Sequence, residues 1–163
     1  MRGALARAAT RGAGTILLSC TDPPRDLLVN VDIAILPKVG PEALTGSTRM
    51  KAGTATKLVL NTVTTGAMIR MGRAYGNLRV DLVALSDKLK DRGERIVMEV
   101  CGVEREAARR VLADAAGHVK TAIVMLKRRA DRATAERLLA EAGGTVRRAV
   151  GEPPPPVRGE ARD

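Results

Sequence analysis

The sequence predicts an α/β protein, the C-terminal part of a doubly wound parallel sheet followed by a small helical bundle. Three observations carry this reading. Two short apolar runs, Thr15 to Ser19 and Asp32 to Leu36, are separated by a turn and a short apolar segment, the β-turn-α-β rhythm of parallel sheets. A long helical pattern from about Ala52 to Arg73 then follows a hydroxyl-rich stretch. Beyond Gly102 the pattern shortens to helical segments divided by glycines and an aspartate.

Taken in order, Ala4 to Thr10 reads as a helix that Gly12 and Gly14 break, and the apolar run after it reads as a buried strand. Thr21-Asp22-Pro23-Pro24 is a loop, Leu27 to Val29 a short apolar segment, and Pro37 stops the second strand. Two parallel strands cannot cover their own faces or satisfy both edges, so further strands are expected upstream in the fold or on another chain. In the long helix Ala55, Leu58, Val59, Thr62, Val63, Ala67 and Met71 recur at helical spacing, and Leu60, Met68 and Ile69 widen the stripe. That width predicts burial on more than one side. After Gly72, Gly76 and Asn77, a second amphipathic helix is expected to carry Val80, Val83, Leu85 and Leu89 toward a break at Gly93. Glu104 to Ala115, Val119 to Arg129 and Thr134 to Ala142 form the bundle, and Gly151 to Asp163, with Pro153 to Pro156, reads as a disordered or polyproline tail.

Composition narrows the function. The 163 residues are 45% hydrophobic, enough for a packed core, but Tyr75 is the single aromatic side chain, so that core is aliphatic. A surplus of 28 Lys and Arg over 18 Asp and Glu gives a net charge of +10 and favours anionic partners. The arginines are scattered through every segment and aromatic stacking platforms are missing, which argues for a solvated basic surface and against nucleic acid. Cys20 and Cys101 lie far apart with neither a CxxC pair nor a neighbouring His, so neither a disulfide framework nor a zinc site is expected. The single histidine, His118, reads as structural, near a helix start. No apolar run approaches the roughly 20 residues that span a bilayer, so no membrane partner and a cytoplasmic location are expected.

Chemistry concentrates in Gly46 to Lys51, where Ser47 and Thr48 precede Arg49 and Lys51 at a helix entrance. Free N–H groups and the positive helix end attract a phosphate, hydroxyls donate to its oxygens, and a guanidinium grips it bidentately. The same residues also fit an ordinary Ser or Thr cap followed by exposed cations. Glu42, the one carboxylate beside the motif, reads as a loop or capping residue in preference to an acid-base group.

The run from Gly40 through Gly46-Ser47-Thr48-Arg49-Met50-Lys51 to Ala55 resembles the signature of the N-acetylmuramic acid 6-phosphate etherase family and its glucokinase-regulatory relatives. Lys57 to Asn61, Thr65 to Arg70, Tyr75 to Asp81, Lys120 to Met125 and Ala142-Gly143-Gly144 resemble the family's following blocks in the same order, across most of Arg11 to Val150. The resemblance implies a sugar isomerase (SIS) fold with the C-terminal part of that domain over residues 1–80, a helical region over 81–150 and a tail over 151–163. It also implies a phosphorylated amino sugar as ligand, with Ser47, Thr48, Arg49 and Lys51 as substrate-binding residues. Family members of the etherase type remove the lactyl ether by elimination and rehydration, giving N-acetylglucosamine 6-phosphate and D-lactate, without metal or organic cofactor. Such chemistry calls for paired carboxylates as base and acid. The family's glutamates lie upstream of the matched region, so no catalytic residue is assigned here. A homodimer, or an upstream-encoded SIS half, is the implied protein partner. A binding module that regulates another protein is the alternative implied by the glucokinase-regulatory relatives.

Overall fold

The computed structural model describes residues 2–155. The chain divides into two compact units at Thr64–Thr65, inside a long helix.

The first unit is α/β. Helix α1 (Arg2–Thr10) leads to strand β1 (Ile16–Leu18), a 3-10 helix over Arg25–Asn30 and strand β2 (Ile33–Ile35). β1 and β2 pair in parallel, with Leu17 opposite Ala34. Their entry is tied by side chains: the Thr15 amide donates to the Asp32 carboxylate at 2.7 Å, and the Asp32 amide donates to the Thr15 hydroxyl at 3.0 Å. The Thr15 amide bond, with the hydroxyl behind it, holds the Asp32 carboxyl below its ordinary range. Leu17 is buried, while Ile16 and Ile33 are about half exposed. Helix α2 (Lys51–Arg70) starts in this unit.

The expected burial of α2 on more than one side is not what the structure shows. None of its residues is buried, and Leu58, Leu60, Val63, Met68 and Ile69 are exposed. Only one face, through Ala52, Ala55, Thr56 and Val59, is half covered. Apolar spacing in a sequence records a face that can be buried, and burial itself needs a second element against it.

The second unit begins with the end of α2 and a short hairpin, β3 (Ala74–Tyr75) and β4 (Leu78–Arg79), then packs five helices: α3 (Asp87–Cys101), α4 (Arg105–Asp114), α5 (Val119–Arg128), α6 (Arg132–Glu141) and α7 (Val146–Val150). Val80, Val97, Val119, Ile123, Val124 and Val146 are its largest fully buried side chains. The bundle matches the sequence expectation, with α7 as an unanticipated addition. The second amphipathic helix does not run from Val80 to Gly93. Gly76, at φ +63°, turns the chain into the hairpin, and Val83 bridges His118 in extended form. The helix starts only at Asp87, where Ser86 accepts the Leu89 amide as N-cap. It runs through Gly93, whose bare backbone faces α5 and α4: a Cβ there would come within 3.2 Å of Val119 and 3.4 Å of Leu112. His118 stands just before α5, consistent with a structural role at a helix start.

The buried Glu94 ties α3 to α4, accepting from Arg105 at 2.6 Å and from Arg109 at 3.0 Å. Arg109 foremost, and then Arg105, hold its carboxyl below the usual carboxylate range against the cost of burial. Of the tail expected over 151–163, residues 156–163 lie outside the described residues; Glu152 and Pro153 present their carbonyls to the Tyr75 hydroxyl.

Because Ile123 is fully buried and Ile69 is 56% exposed, their truncations should separate cleanly. Ile123→Ala is expected to cost about 2–5 kcal/mol and Ile69→Ala less than about 0.5 kcal/mol, in urea unfolding followed by the fluorescence of the single tyrosine.

Candidate functional site

A parallel strand pair carries its ligand sites at the carboxyl ends of the strands, where loops diverge. In the first unit those ends are Leu18 and Ile35. Here the Ser19 amide still donates to the Ile35 carbonyl at 3.1 Å, and the two loops part beyond it. Between them and the first turns of α2 lies an open cleft of about 400 Å³. Ser19, Cys20 and Thr21 form one wall, Val39, Gly40 and Glu42 another, and Thr48, Ala52, Gly53 and Thr56 a third. Four hydroxyls, a thiol and the Glu42 carboxylate are set in a lining that is otherwise apolar, with Leu18, Val39 and Ala52.

The residues after β2 reach α2 through a loop in which Gly40 and Gly46 hold φ of +69° and +82°, conformations that a side chain would strain. The Ser47 amide donates to the Leu44 carbonyl at 3.1 Å, and the Gly53 amide to the Thr48 carbonyl at 3.0 Å. The main organiser is Glu42. Its two carboxylate oxygens accept the Lys51 and Ala52 amides, each at 3.0 Å, at the N-terminal end of α2. Those two bonds, Ala52 first, lower the Glu42 carboxyl from its ordinary value. Read from the sequence as a loop or capping residue, Glu42 takes the capping role in this geometry.

Of the four expected substrate-binding residues, Thr48 lines the cleft. Ser47, Arg49 and Lys51 are not among its lining residues: Ser47 is half-buried in the turn before α2, and Arg49 and Lys51 are exposed, in no ion pair among the described residues. Ser19, Cys20, Thr21 and Thr56 were not singled out by motif. The position of Ser19, Cys20 and Thr21 was nonetheless available from the end of β1, since whatever follows a parallel β-strand borders such a cleft; Thr56, on α2, carried no such signal. The Cys20 thiol sits 3.6 Å from the Ala52 carbonyl and 3.7 Å from the Thr56 hydroxyl. Among the described residues no group of His, Cys, Asp and Glu is arranged to hold a metal ion.

No protein-family model matches the chain. Individual proteins do. Over 124 residues it is 53% identical to the N-acetylmuramic acid 6-phosphate etherase of Aeromonas hydrophila, covering 76% of this chain and 41% of that protein. It is 52% identical over 126 residues to the enzyme of that name from Mycolicibacterium smegmatis, with the same two coverages. With that of Salinibacter ruber the identity is 54% over 115 residues, 71% of this chain and 37% of the relative. The chain belongs to the N-acetylmuramic acid 6-phosphate etherase family. It spans about two fifths of the length of the curated relatives it matches, in their C-terminal portion. The etherase relatives thus agree with the resemblance read from the signature around Gly46 to Lys51.

The Glu42 cap makes the start of α2 sensitive to acid. Its folded pKa is lowered, so its contribution is complete above the ordinary value of 4.5 and is lost as pH falls through the lower folded value. Protection of the Lys51 and Ala52 amides from hydrogen exchange should therefore be complete at neutral pH and be lost only as pH falls below the ordinary carboxylate value of 4.5. Glu42→Gln should remove most of that pH dependence, leaving the two amides equally exchangeable on both sides of the window.

Proposed function

We propose that this chain is the substrate-binding C-terminal part of an N-acetylmuramic acid 6-phosphate etherase, a lyase of amino-sugar and peptidoglycan recycling in the cytoplasm. The observation that carries the proposal is the coincidence of two independent facts. The family signature, Gly40 to Ala55, is also the segment that forms the cleft wall between the strand ends and α2. In this reading the sugar phosphate enters the cleft, its phosphate meets the Ser47 and Thr48 hydroxyls, and Arg49 and Lys51 supply charge from the rim. The strand pair is the end of a doubly wound SIS sheet spanning residues 1–80, and residues 81–150 form a separate helical part.

Elimination of lactate requires a base for the proton and an acid for the leaving oxygen. Glu42 is the one carboxylate lining the cleft, and both its oxygens are engaged by backbone amides. A group so held, with its pKa lowered, is a poor base and has no proton to give at neutral pH. The reading therefore assigns this chain binding, and assigns the acid-base pair to a further SIS half that carries the family's upstream glutamates. Exposed Ile16, Ile33, Leu58 and Leu60 offer the apolar surface against which that complement would pack. The occupied state of Glu42 also favours a second reading, in which the chain binds a sugar phosphate without turnover and regulates a partner.

Release of D-lactate from N-acetylmuramic acid 6-phosphate separates these readings. The chain alone should release none, and its mixture with the N-terminal half of an etherase relative should release it; binding with no lactate in the mixture would favour the regulator. The Arg49→Ala, Lys51→Ala double variant should weaken sugar-phosphate binding by about tenfold or more, measured by calorimetry. Unchanged affinity in a folded double variant would remove the assigned site.

A further inference from the structure

The single aromatic side chain of the protein is 2% exposed, and part of what covers it is the segment after α7. The Tyr75 hydroxyl donates to the Pro153 carbonyl at 2.7 Å, with the Glu152 carbonyl 3.2 Å away. Lys127 on α5 meets the Glu152 carboxylate at 3.0 Å. Gly76 lies flat against the next ring: a Cβ there would sit 3.0 Å from the Pro154 Cβ and 3.5 Å from its Cγ. Three successive residues are thus read by three different groups. A cation reads the acid, a hydroxyl reads the carbonyl beside it, and a glycine leaves room for the proline ring.

These contacts suit a polyproline strand for a physical reason. Proline has no N–H, so such a strand can only accept hydrogen bonds, and a donor from an aromatic side chain is the complementary group. The strand is also extended before it binds, which lowers the entropy lost on docking. Charge at one end sets its direction, since Lys127 can pair with an acid at only one end of the strand. The Glu152–Pro155 strap rests on the surface and leaves space: a cleft of about 370 Å³ remains, lined by the strap together with Tyr75, Val100 and Lys127. Glu152 and Pro153 remain exposed. Neither observation belongs to the sugar-phosphate cleft, whose lining lies wholly in the first unit.

We propose that the groove formed by Tyr75, Gly76, Val100 and Lys127 is a polyproline-binding site for an acidic residue followed by prolines, filled in cis by Glu152–Pro155 and open by exchange to a partner segment of the same chemistry. The cis strap is its template and its competitor. A partner reaches full affinity only when the strap is displaced, so the apparent affinity is lowered by the fraction of time the strap is seated.

The test uses the full chain and the peptide acetyl-Gly-Glu-Pro-Pro-Pro-amide, which has no fluorophore, so that all emission comes from Tyr75. In a Glu152→Ala, Pro154→Gly variant, which weakens the strap and leaves the groove intact, the peptide should bind about tenfold or more tighter than to the unaltered chain. Exchanging the peptide's Glu for Lys, or adding Lys127→Ala to the strap variant, should weaken binding by about tenfold. The strap variant should also ionise Tyr75 closer to its ordinary value of 10, because burial is the first cause that raises it. An unchanged tyrosine signal at millimolar peptide, in a strap variant with the helical circular dichroism of the unaltered chain, overturns the proposal. Self-association that the strap substitutions abolish, without any response to peptide, overturns it in favour of strap exchange between copies.

Discussion

A helix that begins after a loop leaves its first amides unpaired, and the way those amides are satisfied decides where the helix starts. In the first unit the Glu42 carboxylate takes two of them, from nine and ten residues upstream. That bridge ties the loop after β2 to the start of α2, where Thr48 lines the same cleft as the loop after β1. The negative charge also lies at the positive end of α2, where the helix dipole favours it. An added anion at this helix end would meet a site already occupied by a carboxylate.

The second unit solves a different problem, packing a core without aromatic rings beyond Tyr75. Small and β-branched side chains such as Val97, Ala108, Ala122 and Val124 fill this core, and at Gly93 a side chain would crowd Val119 and Leu112. Glu94 is the polar exception. Surrounded by Arg105 and Arg109, it is satisfied in place, and removing either arginine would leave a carboxylate in a buried position with less to balance it. The hairpin then brings Tyr75 to the side of this bundle where α7 ends and the strap begins.

The two units differ in how far they bury their apolar residues. Almost every apolar position of α3, α4 and α5 that the periodicity marks is covered, whereas α2 and both strands keep large aliphatic side chains in solvent. Exposed aliphatic surface of this kind favours association with matching apolar surface. The relatives in the family are more than twice as long as the matched region.

By itself the sequence determined the α/β class, both parallel strands, the long helix within two or three residues, three of the bundle helices and the family. Those are local or cumulative properties: strand and helix periods are written into consecutive residues, and the signature around Gly46 to Lys51 is continuous. Glu42 was legible as a loop or capping residue from its place beside the motif; which of the two it is depends on amides nine and ten positions away. Tertiary structure alone decided the rest. It placed Thr56 of α2 beside Ser19, Cys20 and Thr21 in one cleft, because the start of α2 lies against the end of β1 and brings Cys20 next to a residue more than thirty positions on. It carried α3 through Gly93, because only the packing of α4 and α5 against that helix makes a missing side chain an advantage over a break. It left α2 uncovered, because a periodic stripe states which face is apolar and cannot state whether anything lies across it. And it joined Tyr75 to Glu152 and Pro153 across more than seventy residues, a contact for which neither composition nor spacing carries a signal.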